Sequence, residues 1–449
     1  MIKHYDAYPT YITSNIEWVK EIPTNWKTET AKHLIKRIQR KIDEKDEIVT
    51  AFRDGEVTLR KNRRIDGFTM ASKEIGYQGV RKGDLLIHAM DGFAGAIGVS
   101  DSNGKCSPVC SVCIPIEKNQ IDINYYGYLC RELSVNNFIL SLAKGIRERS
   151  TEFRYSEFSN LFLLLPPLNE QTQIAEFLDY ETNRIDTLIE KQKKLIELLE
   201  EKRQAVISQA VTKGLDPNVP MKDSGIEWLG EVPKHWKNVK LKTLTNRITK
   251  GTTPSTVGGK IKNKGSIRFL RGENIGTNGA MVSFPEFFID KKTDFILKRS
   301  RLKSGDLLFI IAGTLGKVGI VTDELLPSNT NQAVCIISLK NKSNRKYVYY
   351  SLQSNLVKNN IELNKVQTAQ PNLSMENVGN IKINYPPQET QALIIKFLDN
   401  KTNIIIELIS KVLQTITLLQ EKRVSLISAA VTGKIDVRDW KKPNKEKDQ

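Results

Sequence analysis

The chain has 449 residues, 39% hydrophobic and 27% charged, a balance that excludes disordered and fibrous classes and, at ~100–200 residues per domain, implies two to four folded units. A net charge of +17 makes a polyanion the first partner to consider, and the excess is uneven: residues 237–385 carry 24 Lys and Arg against 9 Asp and Glu, residues 27–165 carry 22 against 18. No apolar run reaches ~18 residues and the start Met1-Ile2-Lys3-His4-Tyr5 lacks a secretory signal, so a cytoplasmic protein with no membrane partner is expected.

Residues 1–165 read as a β-rich body of short strands and turns. Arg60-Lys61-Asn62-Arg63-Arg64 is a dense basic cluster, and Arg147, Arg149 and Arg154 follow Lys144-Gly145 as a second. Arginine pairs bidentately with guanine edges while lysine positions the backbone. Arg60, Lys61, Arg63, Arg64, Arg147, Arg149 and Arg154 are therefore candidate DNA contacts, with a solvated charged loop as the plain alternative for each cluster. Gly83-Asp84-Leu85-Leu86 opens an apolar stretch, after which His88 and Asp91 read as strand-end contacts to a base or as core polar groups in preference to a catalytic pair. Cys106, Cys110 and Cys113 suggest a metal at first sight. They lack a matching second pair or a nearby His, and Val109 and Val112 alternate as in a strand, so no metal is expected. The cysteine count of five is odd, which does not suit a disulfide framework.

Pro166-Pro167 punctuates the start of a long helix through residue 216. Alternate steps of four and three from Ile174 collect Leu178, Ile185, Leu188, Leu195, Leu199 and Val206, a heptad seam. At 1.5 Å per residue, ~43 residues make a rod of ~64 Å.

Residues 217–385 form a second body. Ile16-Glu17-Trp18, Pro23 and Trp26-Lys27 return here as Ile226-Glu227-Trp228, Pro233 and Trp236-Lys237, and Gly83-Asp84-Leu85-Leu86 returns as Gly305-Asp306-Leu307-Leu308. The chain is a duplication, and tryptophan is too rare for these matches to be chance. Ser266–Leu270 is β-rich, Leu307–Ile311 reads as a buried strand, and few helices are expected. Lys250-Gly251-Thr252-Thr253-Pro254-Ser255 is followed by Arg271, Asn274, Lys317, Asn329, Asn331, Gln332, Gln367 and Gln370. Asn and Gln suit adenine edges. Lys250, Thr252, Thr253, Ser255 and these eight residues are the second set of DNA candidates, supported as a set and not singly.

Residues 386–436 align without a gap on 166–216, with about half the positions identical. The matching seam is Ile394, Leu398, Ile405, Leu408, Val412, Leu419 and Leu426, and two such helices in one chain most simply pair with each other. Residues 437–449 read as a charged, disordered tail. No catalytic constellation emerges. Asn384-Tyr385-Pro386-Pro387 has the order wrong for the Asn-Pro-Pro-Tyr loop of adenine methyltransferases, and the stretch from Gly313 to Gly319 lacks phosphate-loop spacing.

The architecture resembles the specificity subunits of type I restriction-modification systems. Pro166-Pro167-Leu168-Asn169-Glu170-Gln171-Thr172-Gln173-Ile174 matches the Pro-Pro-Leu-x-Glu-Gln-x-x-Ile start of their helices throughout, and Phe177-Leu178-Asp179 and Phe397-Leu398-Asp399 continue the likeness. The second start departs, with Gln388-Glu389-Thr390-Gln391. Gly251-Thr252-Thr253-Pro254-Ser255 is similar to the Gly-Gly-Thr-Pro-Ser opening of many such recognition domains, and Gly305–Gly319 to their central strand pair.

The resemblance implies an α+β fold: two β-rich target-recognition domains (1–165 and 217–385), each followed by a long α-helix (166–216 with its exit, and 386–436). The helices would form an antiparallel intramolecular coiled coil with pseudo-two-fold symmetry. It also implies a non-catalytic subunit that binds an asymmetric bipartite site in double-stranded DNA and docks methyltransferase subunits, with a restriction and translocation subunit in systems that cleave. No cofactor of its own is implied; S-adenosylmethionine, ATP and Mg would sit on the partners. A coiled-coil adaptor whose basic domains bind RNA or protein is the alternative.

Overall fold

Short apolar runs divided by glycine turns build one and the same four-stranded antiparallel sheet twice. The computed structural model describes residues 5–63, 75–142, 152–225, 229–276, 278–341, 344–364 and 372–443. They divide into two compact units, Met1–Lys191 with Thr415–Gln449, and Gln192–Gln414.

In the first unit β1 (Ile35–Ile38), β2 (Leu85–His88), β3 (Ile97–Val99) and β4 (Cys110–Pro115) lie in the order β1-β4-β2-β3. The helix α1 (Ile123–Val135) packs on β3, and α2 (Leu168–Lys213) begins directly after Pro166-Pro167. In the second unit β5 (Thr245–Lys250), β6 (Leu307–Ile310), β7 (Val318–Ile320) and β8 (Val334–Leu339) repeat the order as β5-β8-β6-β7. There α3 (Arg345–Gln353) packs on β7, and α4 (Gln388–Val431) follows Pro386-Pro387.

The central strands are apolar without alternation because both faces of each sheet are covered. Leu307 and Phe309 enter one core cluster, Leu308 and Ile310 another. Leu85 and Ile87 are likewise separated from Leu86. The same parity puts Cys110 and Cys113 of β4 into different clusters, with Cys106 beside Cys110. The Cys110 thiol and burial push Cys106 up, and burial pushes Cys130 up to about 12, so these are core thiols.

The repeated Gly-Asp pair heads each central strand. Gly83 and Gly305 turn at φ +88° and +84°, a region that favours glycine. Asp84 then accepts the Arg81 amide at 2.7 Å and the Arg40 guanidinium. Asp306 accepts the Lys303 amide at 2.9 Å, Arg247 at 2.7 Å and the Ser338 hydroxyl at 2.6 Å. The bodies hold more helix than expected, and these helices tie each sheet to a long helix. Tyr128 of α1 donates to Asp179 at 2.8 Å, and Tyr350 of α3 donates to Asp399 at 2.8 Å. The shared Gln171 and Gln391 each donate to the carbonyl of the first proline, Pro166 or Pro386, at 2.8 Å.

The helices span 46 and 44 residues. Within the first unit the start of α2 packs antiparallel on the end of α4: Ile185 and Ile189 share a core with Leu426 and Ile427, and Arg423 meets Asp186 at 3.0 Å. Within the second unit Ile207, Ala210 and Val211 share a core with Ile394 and Leu398.

The seam keeps most of the expected residues but is shifted by one residue at every second step. Ile174, Leu178, Ile185, Ile394, Leu398, Ile405, Val412 and Leu426 are buried, and Leu199, Val206 and Leu419 are half-buried. Leu195 and Leu408, however, are 40% and 43% exposed, and Leu188 is only half-buried beside the buried Ile189. The covered row runs Leu178, Thr182, Ile185, Ile189, Gln192, Ile196, Leu199, Arg203, Val206, Ala210, a heptad with every second member moved by one residue. Neighbouring apolar pairs such as Leu188-Ile189, Leu195-Ile196 and Leu408-Ile409 left both phases open, and packing selects the isoleucines.

Two further expectations change. An eighteen-residue stretch of α4 has mean hydropathy 1.4, so by length and composition this helix could cross a membrane; its pairing with α2 in each unit identifies it as a coiled-coil helix. Residues 437–440 are packed: Val437 is buried, and the Trp440 ring lies 5.5 Å from that of Phe177. Residues 444–449 lie outside the described residues.

Candidate nucleic-acid interface

Strand pairing brings most of the candidates to one end of each sheet. In the first unit His88 closes β2 opposite Cys110, and the Phe153 amide donates to the Ala89 carbonyl at 2.8 Å, which brings Arg154 to the same end. A cleft of about 630 Å³ opens there, lined by Val49–Asp54, Arg60, Arg63, His88, Asp91, Ser107 and Cys110.

The cleft is ionic. Arg53 pairs with Asp91 at 2.7 Å, Arg63 pairs with Asp54 at 2.7 Å and lies 4.3 Å over the Phe52 ring, and the Arg60 Nε donates to Thr50 at 3.1 Å. Such exposed pairs contribute ~0–1 kcal/mol, so phosphates or base edges can replace the acids at little cost. His88 Nδ1 accepts the Asp91 amide at 3.0 Å, while the Asp91 carboxylate stands 3.7 Å away. Burial pushes its pKa down. The proton is therefore on Nε2, as a donor, and the acid is turned to Arg53, which is not the geometry of a catalytic pair. Lys61 turns to Glu47 at 2.5 Å and Arg154 to Glu152 at 2.5 Å. Arg64, Arg147 and Arg149 lie outside the described residues.

In the second unit Lys250 ends β5 opposite Cys335, Ile310 ends β6 opposite Val334, and the Ile310 amide donates to the Lys317 carbonyl at 2.9 Å. The Gly251–Ser255 loop lies against the 328–332 strand end: the Thr252 amide donates to the Thr330 carbonyl at 3.1 Å, and the Thr253 hydroxyl donates to Gln332. A Cβ on Gly251 would fall 2.0 Å from that carbonyl oxygen, which is why glycine stands there. Arg271 follows Leu270, whose carbonyl accepts the Thr330 hydroxyl at 2.7 Å, and Asn331 adjoins it. Lys250, Thr252, Thr253, Ser255, Arg271, Lys317, Asn331 and Gln332 thus share one end.

Two candidates do not belong to it. Asn274 is buried, accepting the Arg271 amide and donating to the Val282 and Pro285 carbonyls. Asn329 is buried, donating to Asp294 and to the Leu297 carbonyl. Both are loop clips, a role that residue type alone does not separate from base reading. Gln367 and Gln370 lie outside the described residues. Arg53 lines the cleft without having been a sequence candidate, because it stands alone in a turn, without the clustering that marked Arg60–Arg64. Among the described residues no group of three or more His, Cys, Asp or Glu could hold a metal.

Residues 72–198 and 233–418 match the type I restriction modification DNA specificity domain. The chain belongs to the type I specificity-subunit family. It is 28% identical over 376 residues to the type I restriction enzyme MjaVIII specificity subunit of Methanocaldococcus jannaschii, covering 80% of this chain and 81% of that one. It is 25% identical to the EcoBI specificity subunit of Escherichia coli, covering 69% and 65%. Its fold is that of a chain from a type I system solved in a study of complex assembly and conformational transition (TM-score 0.68, 16% identity, 92% and 99% covered). The HsdS subunit of Thermoanaerobacter tengcongensis gives 0.50 at 16% identity, with 92% and 98% covered. The specificity subunit is thus a DNA-recognition subunit, and the shared helix motifs are explained by structure: Gln171 and Gln391 tie the helices to the first proline carbonyl, and Asp179 and Asp399 anchor them. Where the second helix start has Thr390, the first has Glu170, which accepts Tyr8 and Trp26 at 2.9 Å each.

Proposed function

We propose that each unit reads one half of an asymmetric, bipartite site in duplex DNA, using the sheet end that carries its candidates. The observation that supports this is convergence: in two bodies of different sequence and charge, polar and basic residues gather at the same end of the same sheet. Since the sets differ, with Arg53, Arg60, Arg63, His88 and Asp91 in one and Lys250, Thr252, Arg271, Asn331 and Gln332 in the other, the half-sites differ.

The chain itself performs no chemistry in this reading and works in the cytoplasm. Its helices dock methyltransferase subunits that bring S-adenosylmethionine, and where a restriction subunit is present that subunit brings ATP and Mg. Co-production with the methyltransferase subunit and mapping of methylated adenines tests it. Two unlike half-motifs at a fixed gap are expected, and Arg53→Ala with Arg63→Ala relaxes one of them alone. Methylation that is independent of this chain, or that shows a single motif, overturns the reading.

A further inference from the structure

In the first unit Arg423 of α4 meets Asp186 of α2, its Nε 3.0 Å from Oδ1 and 3.2 Å from Oδ2. The duplication, at an offset of 220, carries Arg423 onto Arg203 but Asp186 onto Ile406. The second unit therefore keeps the arginine without its carboxylate. Arg203 is 9% exposed; its Nη2 donates to the Asn278 carbonyl at 2.6 Å and to Gln353 Oε1 at 2.9 Å, and its buried Nε has no partner. No ion pair of Arg203 is found among the described residues.

A cavity of about 870 Å³ opens beside it, with Ile196, Ile406, Ile409 and Leu413 among its walls. Lys358, whose Nζ donates to Gln204 at 2.6 Å, stands at its edge. Glu200 and Glu201 also border it but are exposed, where water and salt screen their repulsion. A buried cation without a counter-charge is costly, and a carboxylate with good geometry relieves it. In the first unit Asp186 supplies such a carboxylate to Arg423, in a half-buried pair.

We propose that this cavity is a socket for an Asp or Glu side chain of a protein docked on the helix pair, its carboxylate taking in the second unit the place that Asp186 holds in the first. This rests on the reading that the helices dock methyltransferase subunits, and it adds what such a subunit must present: an acid flanked by apolar residues, to meet Arg203, Lys358 and the isoleucine walls.

Ile406→Asp supplies the missing carboxylate from within the chain. The test uses the full chain and its methyltransferase subunit, with calorimetric titration for affinity and thermal melting of the free chain. Ile406→Asp should raise the melting temperature yet weaken binding about tenfold or more, as loss of a buried charge pair does, while Ile406→Asn leaves the melting temperature unraised and weakens binding less. Lys358→Met, a change at an exposed residue, should weaken binding several-fold and reduce its salt dependence. Wild-type binding matched by both Ile406→Asp and Lys358→Met overturns the socket alone. Absence of wild-type binding overturns the partner reading and the socket with it.

Discussion

Replacing Asp306 by Ala removes a carboxylate that is 3% exposed at the head of β6. Three donors lose their acceptor: Arg247 Nη2 at 2.7 Å, the Ser338 hydroxyl at 2.6 Å and the Lys303 amide at 2.9 Å. Hydrogen bonds to a charged group contribute ~1.5–3 kcal/mol each, and breaking a buried ion pair costs ~3–5 kcal/mol. Arg247 also reaches the Arg301 and Arg299 carbonyls at 3.3 and 3.4 Å, which offsets part of the loss. The expected cost is about 3 kcal/mol, and about half that for Asp306→Asn, which keeps the shape and one acceptor. At ~2–4 °C per kcal/mol for a unit of this size, Asp306→Ala should lower the melting temperature by about 6–12 °C in scanning calorimetry. Because β6 carries Ile310 and the Lys317 turn at its far end, binding at the matching half-site should fall with it. A drop below about 2 °C would refute the reasoning, since no buried pair so placed can be lost so cheaply.

Ile189→Ala, at a residue 7% exposed, should cost ~2–4 kcal/mol in denaturant unfolding and more than Leu188→Ala at its half-buried neighbour, and the opposite order would restore the other seam phase. His88 has its pKa held below the ordinary 6.5 by burial; its contribution to stability is full above pH 6.5 and is lost as pH falls through the lower folded value. A proton NMR titration should therefore place its midpoint below 6.5, and a midpoint at or above that would contradict the neutral, Nε2-donating form. Gly251→Ala should displace the Gly251–Ser255 loop from the Thr330 carbonyl and abolish methylation at one half-motif only; unchanged methylation would remove that loop from the interface.

The duplication, the two long helices and their proline starts were legible because they rest on rare residues and sustained periodicity. The seam phase was not, because Leu188-Ile189 and Leu408-Ile409 offer apolar side chains to both phases, and only packing distinguishes them. Asn274 and Asn329 were misread for a related reason: an amide that clips a loop and an amide that reads adenine are the same residue until its acceptors are known. Comparison of the halves supplies what either half alone lacks. Positions kept in both hold strands and helices in place: Asp84 with Asp306 and Asp179 with Asp399 accept nearly the same donors, and Gln171 with Gln391 donate to the same proline carbonyl. Positions that diverge include the candidates at the sheet ends and Asp186, which stands where the other half has Ile406. On the proposed reading, in which the two copies face two different half-sites, the copies can differ only where the scaffold does not need them alike, so divergence at the sheet ends is a better guide to recognition than residue type.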